Sequence, residues 1–307
     1  MTNLPHTKNL ELDISKDWLT IWLNRPNSRN ALTNEMIEDF KNIFNSIRND
    51  PSIRGVSFRG KGGVFCAGAD LKEIKSIFDG KSKKEDVIRF SMATGNLFES
   101  INTLPQVTVM VIEGAAIAGG LGLACCGDFI ITHKDTRFSL TETRIGLLPA
   151  QISPFIIQRL GLVKGKQLML TAAQINGEEA LNIGLADFAG NTESELENLE
   201  QNIKSQVLKC APGAVAEIKR LINLISDLPR EELVSILSEE FKKHTKDQLN
   251  KEMEKLKIPG GPINKLSEVF ESEQVYAREM KIKVKNKNVK GGSVNLIGNP
   301  VKFSKTP

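Results

Sequence analysis

The chain has 307 residues, of which 40% are hydrophobic and 25% charged, and a formal net charge of +4. That length and balance describe a soluble globular protein with room for a sizeable core, in one large domain or two smaller ones, and exclude a disordered or fibrous chain. The charge is small and dispersed apart from a basic cluster around 281–290, which does not argue for nucleic acid though a few lysines can serve an anionic ligand, and no apolar run approaches a membrane span.

Leu10, Leu12 and Ile14 alternate with polar residues, Ser15-Lys16-Asp17 reads as a turn, and Leu19, Ile21 and Leu23 alternate again. This is the pattern of a β-hairpin. Thr33 is placed to cap a helix whose apolar face is Met36, Ile37, Phe40, Ile43, Phe44 and Ile47, closed by Asp50-Pro51. Val56-Ser57-Phe58 predicts a short strand. The small-residue run from Gly60 to Leu71 then predicts a loop leading into a helix with Ile74, Ile77 and Phe78. Residues 79–85 read as a polar loop, and Val87 to Thr103 as an amphipathic helix.

Val107 to Ile112 is an apolar run that predicts a buried strand, followed by Gly114, small residues, the Gly119-Gly120 pair and an apolar helix of about two turns. Such a strand–turn–helix can present bare backbone N–H groups, reinforced by the positive helix end, to an oxygen that gains negative charge. Close helix–strand packing alone would account for the same glycines. Phe129 to Thr132 predicts another strand, and Phe138 to Pro149 an extended loop. Helices are expected to Leu160, over 168–170, 178–183, 195–208 and 212–225. Strands alternating with helices up to Asp187 argue for a layered α/β domain, with the later helices outside it.

Two loops with bare N–H groups and one downstream carboxylate make a reacting centre. The amides of Ala69 and Gly119 can polarise an acyl carbonyl while Glu142 moves a proton or orients a water; an exposed ion pair is the competing role for Glu142. Cys66, Cys125, Cys126 and Cys210 show neither zinc nor disulfide spacing and read as small buried residues. His6, His133 and His244 are scattered, so no metal is expected. The first residues lack the basic and apolar regions of a secretory signal, which predicts a cytoplasmic protein.

Four pieces resemble the crotonase superfamily of enoyl-CoA hydratases and isomerases, in order and spacing. They are Asn30-Ala31-Leu32, Phe65 to Leu71, Gly114 to Ala124, and Phe138 to Glu142 with Gly146 to Pro149; the likeness covers about Leu10 to Phe241. The resemblance implies an α/β fold, a crotonase-like spiral of ββα units followed by C-terminal helices. It also implies a coenzyme A thioester substrate without a permanently bound cofactor, and a homotrimer or hexamer. Ala69 and Gly119 match the two oxyanion-hole amides. Ala31, Ala67, Asp70 and Leu71 match the backbone that holds CoA, and Arg25, Arg29 and Lys72 are candidates for its phosphates.

Many hydratases of this family carry two glutamates. The first falls here at Gly122 and the second at Glu142. One acid/base group fits hydration, but also an isomerase or decarboxylase, and an inactive CoA-ester-binding scaffold is the reading from another class. Residues 120–128 and 141–155 resemble the branch acting on methylglutaconyl-CoA and isohexenylglutaconyl-CoA, which implies a second substrate carboxylate, with Arg144 as its candidate partner, and a place in fatty-acid or leucine breakdown. Residues 1–247 are therefore read as the crotonase-like domain. Residues 248–307 resemble the C-terminal end of class III CoA-transferases, which implies a fusion remnant or a docking element for a CoA-transferase partner.

Overall fold

The backbone turns a corner at Gly114, where φ is +69° and a β-carbon would lie 1.9 Å from the carbonyl oxygen of Gly63. Only glycine fits that corner. It joins β4 (Val107–Ile112), all six residues of which are buried, to β5 (Ala115–Ile117) in a second sheet. The computed structural model describes residues 4–70 and 83–227 continuously. Beyond them it describes 232, 234, 235, 238, 239, 242–255, 265, 268, 269, 271, 273–277 and 279–297.

The chain divides into two compact units, residues 1–239 with 256–258, and residues 240–255 with 259–307. In the first unit, β1 (Leu10–Ser15) and β2 (Trp18–Leu23) form the expected antiparallel hairpin, with Leu10 opposite Leu23 and Ser15 opposite Trp18. From β2 the sheet continues in parallel through β3 (Gly55–Gly60), β4, β6 (Phe129–His133) and β9 (Phe188–Gly190). The central strands are covered on both faces, which is why β4 is a continuous apolar run rather than an alternating one.

The smaller sheet runs β5, β7 (Arg137–Ser139), β8 (Gln174–Ile175). Two large-sheet strands thus hand the chain to a short strand before a helix follows: β4, β5, then α3 (Gly119–Cys125); β6, β7, then α4 (Ser153–Thr171), which is kinked at Gly161. This is the expected repeat of ββα units.

Helix α1 (Asn34–Ile47) begins as predicted: Thr33 Oγ1 accepts from the Met36 amide at 3.3 Å, and all six apolar-face residues are buried. Its Phe40 and Phe44 rings pack with Phe58 of β3, with centroids 5.7–6.3 Å apart. Burying rings like these contributes roughly 1.5–3 kcal/mol each. Helix α2 (Lys84–Asn102) supplies Leu97, Phe98 and Ile101 to the same core. Helices α5 (Gly177–Asn182), α6 (Glu193–Val207) and α7 (Pro212–Asp227) complete this unit.

The structure corrects four expectations. Lys84 and Glu85 are helical rather than loop, because the first turn of α2 gains from the acidic Glu85 and Asp86. A strand, β5, intervenes between β4 and the Gly-Gly helix; at three residues it is too short for periodicity to reveal. Glu142 opens a tight 3₁₀ turn, Glu142–Ile145, rather than an extended loop, with Gly146 closing it at φ +73°. Cys210 is exposed, unlike the three buried cysteines, because it follows the end of α6. The predicted helix through Ile74 to Phe78 lies outside the described residues.

In the second unit the described residues form α8 (Lys246–Lys255), α9 (Glu273–Ala277) and an antiparallel hairpin of β10 (Lys281–Lys285) and β11 (Ser293–Ile297). Lys281, Lys283 and Lys285 share one face of β10, and Ile282 and Val284 oppose Leu296 and Val294 on the other.

Candidate active site

Cys66 is the register point that brings the two small-residue loops together. It bridges to Ala116 of β5, its amide donates to the Ala115 carbonyl at 3.1 Å, and its carbonyl accepts from Ile117 at 3.0 Å. On its other side the loop is zipped to residues 29–32. The Ala67 amide donates to Arg29 at 3.0 Å, Leu32 to Gly68 at 2.7 Å, and Asp70 to Leu32 at 3.0 Å.

These bonds consume the amides of Ala67 and Asp70 and leave that of Ala69 between them without an acceptor among the described residues. Across from it, Ala118 is held in a rare conformation, φ 52° and ψ −124°, with its amide donating to Ser139 at 2.8 Å. Its carbonyl accepts from Leu121 and Gly122, so α3 starts abruptly and the Gly119 amide is likewise without an acceptor among the described residues. A β-carbon on Gly119 would sit 3.8 Å from the Ala69 nitrogen. Gly68, at φ +88°, could carry no side chain here, since a β-carbon would approach the Gly119 nitrogen to 3.1 Å and the Ile117 carbonyl oxygen to 2.9 Å. A strained residue and a close backbone approach thus set two bare amides side by side.

Ala69, Gly119 and Glu142 line a single cavity of about 320 Å³. Most of its lining is apolar, including Leu32, Val87, Phe90, Phe98, Leu148 and Ile152. Glu142 Oε2 is buried with no hydrogen-bond partner among the described residues. Burial pushes this carboxyl above its ordinary range, opposed in part by a hydrogen bond from its own backbone N–H. A carboxyl so placed holds its proton more tightly than an exposed one and is suited to both taking up and returning a proton. Ser91, Thr94, Thr141 and Gln151 are the other polar side chains on the described lining, which carries no lysine, arginine or histidine.

The remaining candidates divide. Ala67 lines the same cavity, and Ala31 is buried beside it, its carbonyl accepting from Arg25 at 2.5 Å. Arg25 also pairs with Asp70 at 3.1 Å, so its guanidinium ties the two loops together. Arg29 is exposed, with φ 50°. Leu71 and Lys72 lie outside the described residues. Arg144 does not line the cavity; its guanidinium donates to the Ala172 carbonyl at 2.8 Å.

Sequence reasoning placed two contributors, Asn30 and Ile152, within resembling stretches but gave neither a role. Asn30, fully buried at φ 54°, donates to the Lys61 and Val64 carbonyls at 2.9 and 2.6 Å and accepts from the Arg25 amide at 2.8 Å. Asparagine's tolerance of the left-handed region was the available signal. Ile152 was the other: a β-carbon on Gly122 would fall 2.0 Å from Ile152 Cγ2, so the isoleucine fills the space a side chain at 122 would need. No local pattern announces that contact.

The family described as Enoyl-CoA hydratase/isomerase matches residues 13–257. The Alternaria alternata protein named enoyl-CoA hydratase AKT6-1 is 32% identical over 201 residues, which span 66% of this chain and 65% of that protein. The short-chain-enoyl-CoA hydratase of Clostridium acetobutylicum is 29% identical over 247 residues, 78% of this chain and 92% of that one. Among solved structures, Pseudomonas aeruginosa AtuE is 36% identical and superposes with a TM-score of 0.73, covering 77% of this chain and 91% of its own. Among the described residues no helix is long and apolar enough to cross a membrane.

Proposed function

The chain belongs to the enoyl-CoA hydratase/isomerase family, and from that premise we propose that it adds water to the double bond of an enoyl-CoA thioester. The observation that carries this reading is that Glu142, with a buried carboxyl oxygen unpartnered among the described residues, shares one cavity with the amides of Ala69 and Gly119, which are bare among those residues. The thioester oxygen sits between those amides and takes up the enolate charge as the double bond is attacked. Glu142 removes a proton from water as its oxygen bonds to the β-carbon, then returns a proton to the α-carbon, so one carboxyl serves both transfers.

The acyl chain we propose is apolar near the thioester. The described lining offers no cation for the second carboxylate of a methylglutaconyl-type substrate, and Arg144 is engaged elsewhere. An isomerase would use the same amides and the same glutamate, so the decisive measurement is product analysis. Purified protein given crotonyl-CoA, 3-hexenoyl-CoA and methylglutaconyl-CoA should form 3-hydroxybutyryl-CoA from the first. Conversion of 3-hexenoyl-CoA to the 2-enoyl ester with crotonyl-CoA untouched would assign the isomerase reaction instead.

A further inference from the structure

Among the polar side chains on the cavity lining, two from different elements are joined to each other. Ser91 stands on α2, Gln151 stands 60 residues on in the segment before α4, and Gln151 Nε2 donates to Ser91 Oγ. The Gln151 stem lies along α2, where a β-carbon on Gly95 would meet its Cγ at 3.9 Å. That bond uses one amide proton of Gln151 and one lone pair of Ser91. It leaves the Gln151 carboxamide oxygen as an acceptor and the Ser91 hydroxyl proton as a donor, both without a partner among the described residues. Gln151 also lines a second, polar cleft of about 360 Å³, together with Glu99, Asn102 and Gln158. Gln151 therefore stands on the lining of both cavities, and Ser91 on that of the first.

We propose that the Ser91–Gln151 pair determines specificity by binding a hydroxyl group carried on the acyl chain away from the thioester. A hydroxyl both donates and accepts, matching the acceptor and donor that this half-buried pair presents; a purely apolar chain covers both without pairing them, which costs binding. Glu99, on the second cleft that Gln151 also lines, disfavours a carboxylate at the same place. This inference rests on the reading of the cavity as the acyl site, but not on which reaction occurs there.

The test uses saturated esters, which bind without turning over: hexanoyl-CoA, its 4-, 5- and 6-hydroxy derivatives, and adipoyl-CoA. Dissociation constants are measured by calorimetry on the full chain and on Gln151→Leu and Ser91→Ala, with melting temperature recorded for each. At least one hydroxy ester should bind the wild type about fivefold tighter than hexanoyl-CoA, and adipoyl-CoA more weakly than either. In each variant that still melts cooperatively, the hydroxy preference should vanish or reverse. Equal binding of hexanoyl-CoA and all three hydroxy esters by the wild type, or a preference that survives both substitutions, overturns the proposal. If crotonyl-CoA is not hydrated while the hydroxy ranking holds, the reaction assignment fails and this inference stands.

Discussion

Gly122 on α3 is pressed against Ile152 so closely that a β-carbon at 122 would stand 2.0 Å from Ile152 Cγ2 and 2.6 Å from its Cβ. Position 122 is where many relatives in the resemblance place their first glutamate. Here the space is not vacant but occupied, and by a residue that lines the acyl cavity. The absent carboxylate and the isoleucine are one structural fact, so a second acid cannot be restored by changing residue 122 alone.

Gly122→Glu should therefore destabilise the protein, by more than about 3 kcal/mol once overpacking and burial of a carboxylate are both counted. Ile152→Ala alone leaves a cavity and should cost ~2–4 kcal/mol. The double variant should be more stable than the sum of the two losses, because each change makes room for the other. Urea denaturation of all three reads the coupling directly, and strict additivity would show that residues 122 and 152 do not compete for the same space.

Glu142→Gln removes the carboxyl and keeps its shape. Turnover should fall by a factor of about 10³ or more, with saturated acyl-CoA binding retained. Because burial raises the folded-state pKa of Glu142, its ionised form penalises the folded state. That penalty is absent below the unfolded carboxyl value of about 4.3, sets in as pH rises through it, and is complete above the raised folded value. Glu142→Gln should thus melt higher than wild type at pH 8 and equally at pH 4. In the wild type, hydration rate should fall as pH drops through the raised value. A melting difference that grew toward acid would contradict the assigned direction.

Much of this architecture was legible in the chain. The helix from Asn34 was announced by Thr33 and six apolar residues at helical spacing, and β4 by an unbroken apolar run, because both signals are local and strong. Strands of two or three residues such as β5 and β8 left no period to read. Ordered motifs singled out Ala69, Gly119 and Glu142, which do line one cavity. The contacts of Arg25 with Ala31 and Asp70 were not legible, because a guanidinium carries no mark of its partners in the sequence. Ser91 with Gln151, and Gly122 with Ile152, are contacts across the fold, and no spacing rule joins residues 60 or 30 positions apart.

Gly68→Ala tests how the amide pair is held. The substitution puts a β-carbon 3.1 Å from the Gly119 nitrogen at a φ of +88° that alanine rarely adopts. Relief requires the loop to move away from α3, which separates the Ala69 and Gly119 amides. Stability should drop by ~1–3 kcal/mol, and kcat by about 10²–10³, the scale of losing one oxyanion donor. A variant with unchanged kcat at permissive temperature would show that the spacing of these amides does not limit the reaction.

Asn30 holds that same loop from behind, and two substitutions separate its hydrogen bonds from its backbone. Asn30→Ala strips partners from the Lys61 and Val64 carbonyls and the Arg25 amide, and sets alanine at φ 54°. The loss should be about 2–5 kcal/mol. Asn30→Asp keeps the acceptor for Arg25 but turns the former donor into an oxygen facing two carbonyl oxygens. At neutral pH it should be the less stable of the two, since an ionised carboxylate there is repelled and buried. Protonation restores a donor, so the folded-state pKa of the introduced carboxyl is raised, and its destabilisation should shrink as pH falls toward the unfolded value near 3.9. Chemical denaturation of both variants at about pH 7 and about pH 4.5, on either side of most of that range, reads the contrast. If Asn30→Ala and Asn30→Asp were to show the same pH dependence, the amide donors to Lys61 and Val64 would not be what holds the loop, and the left-handed backbone alone would account for asparagine at this position.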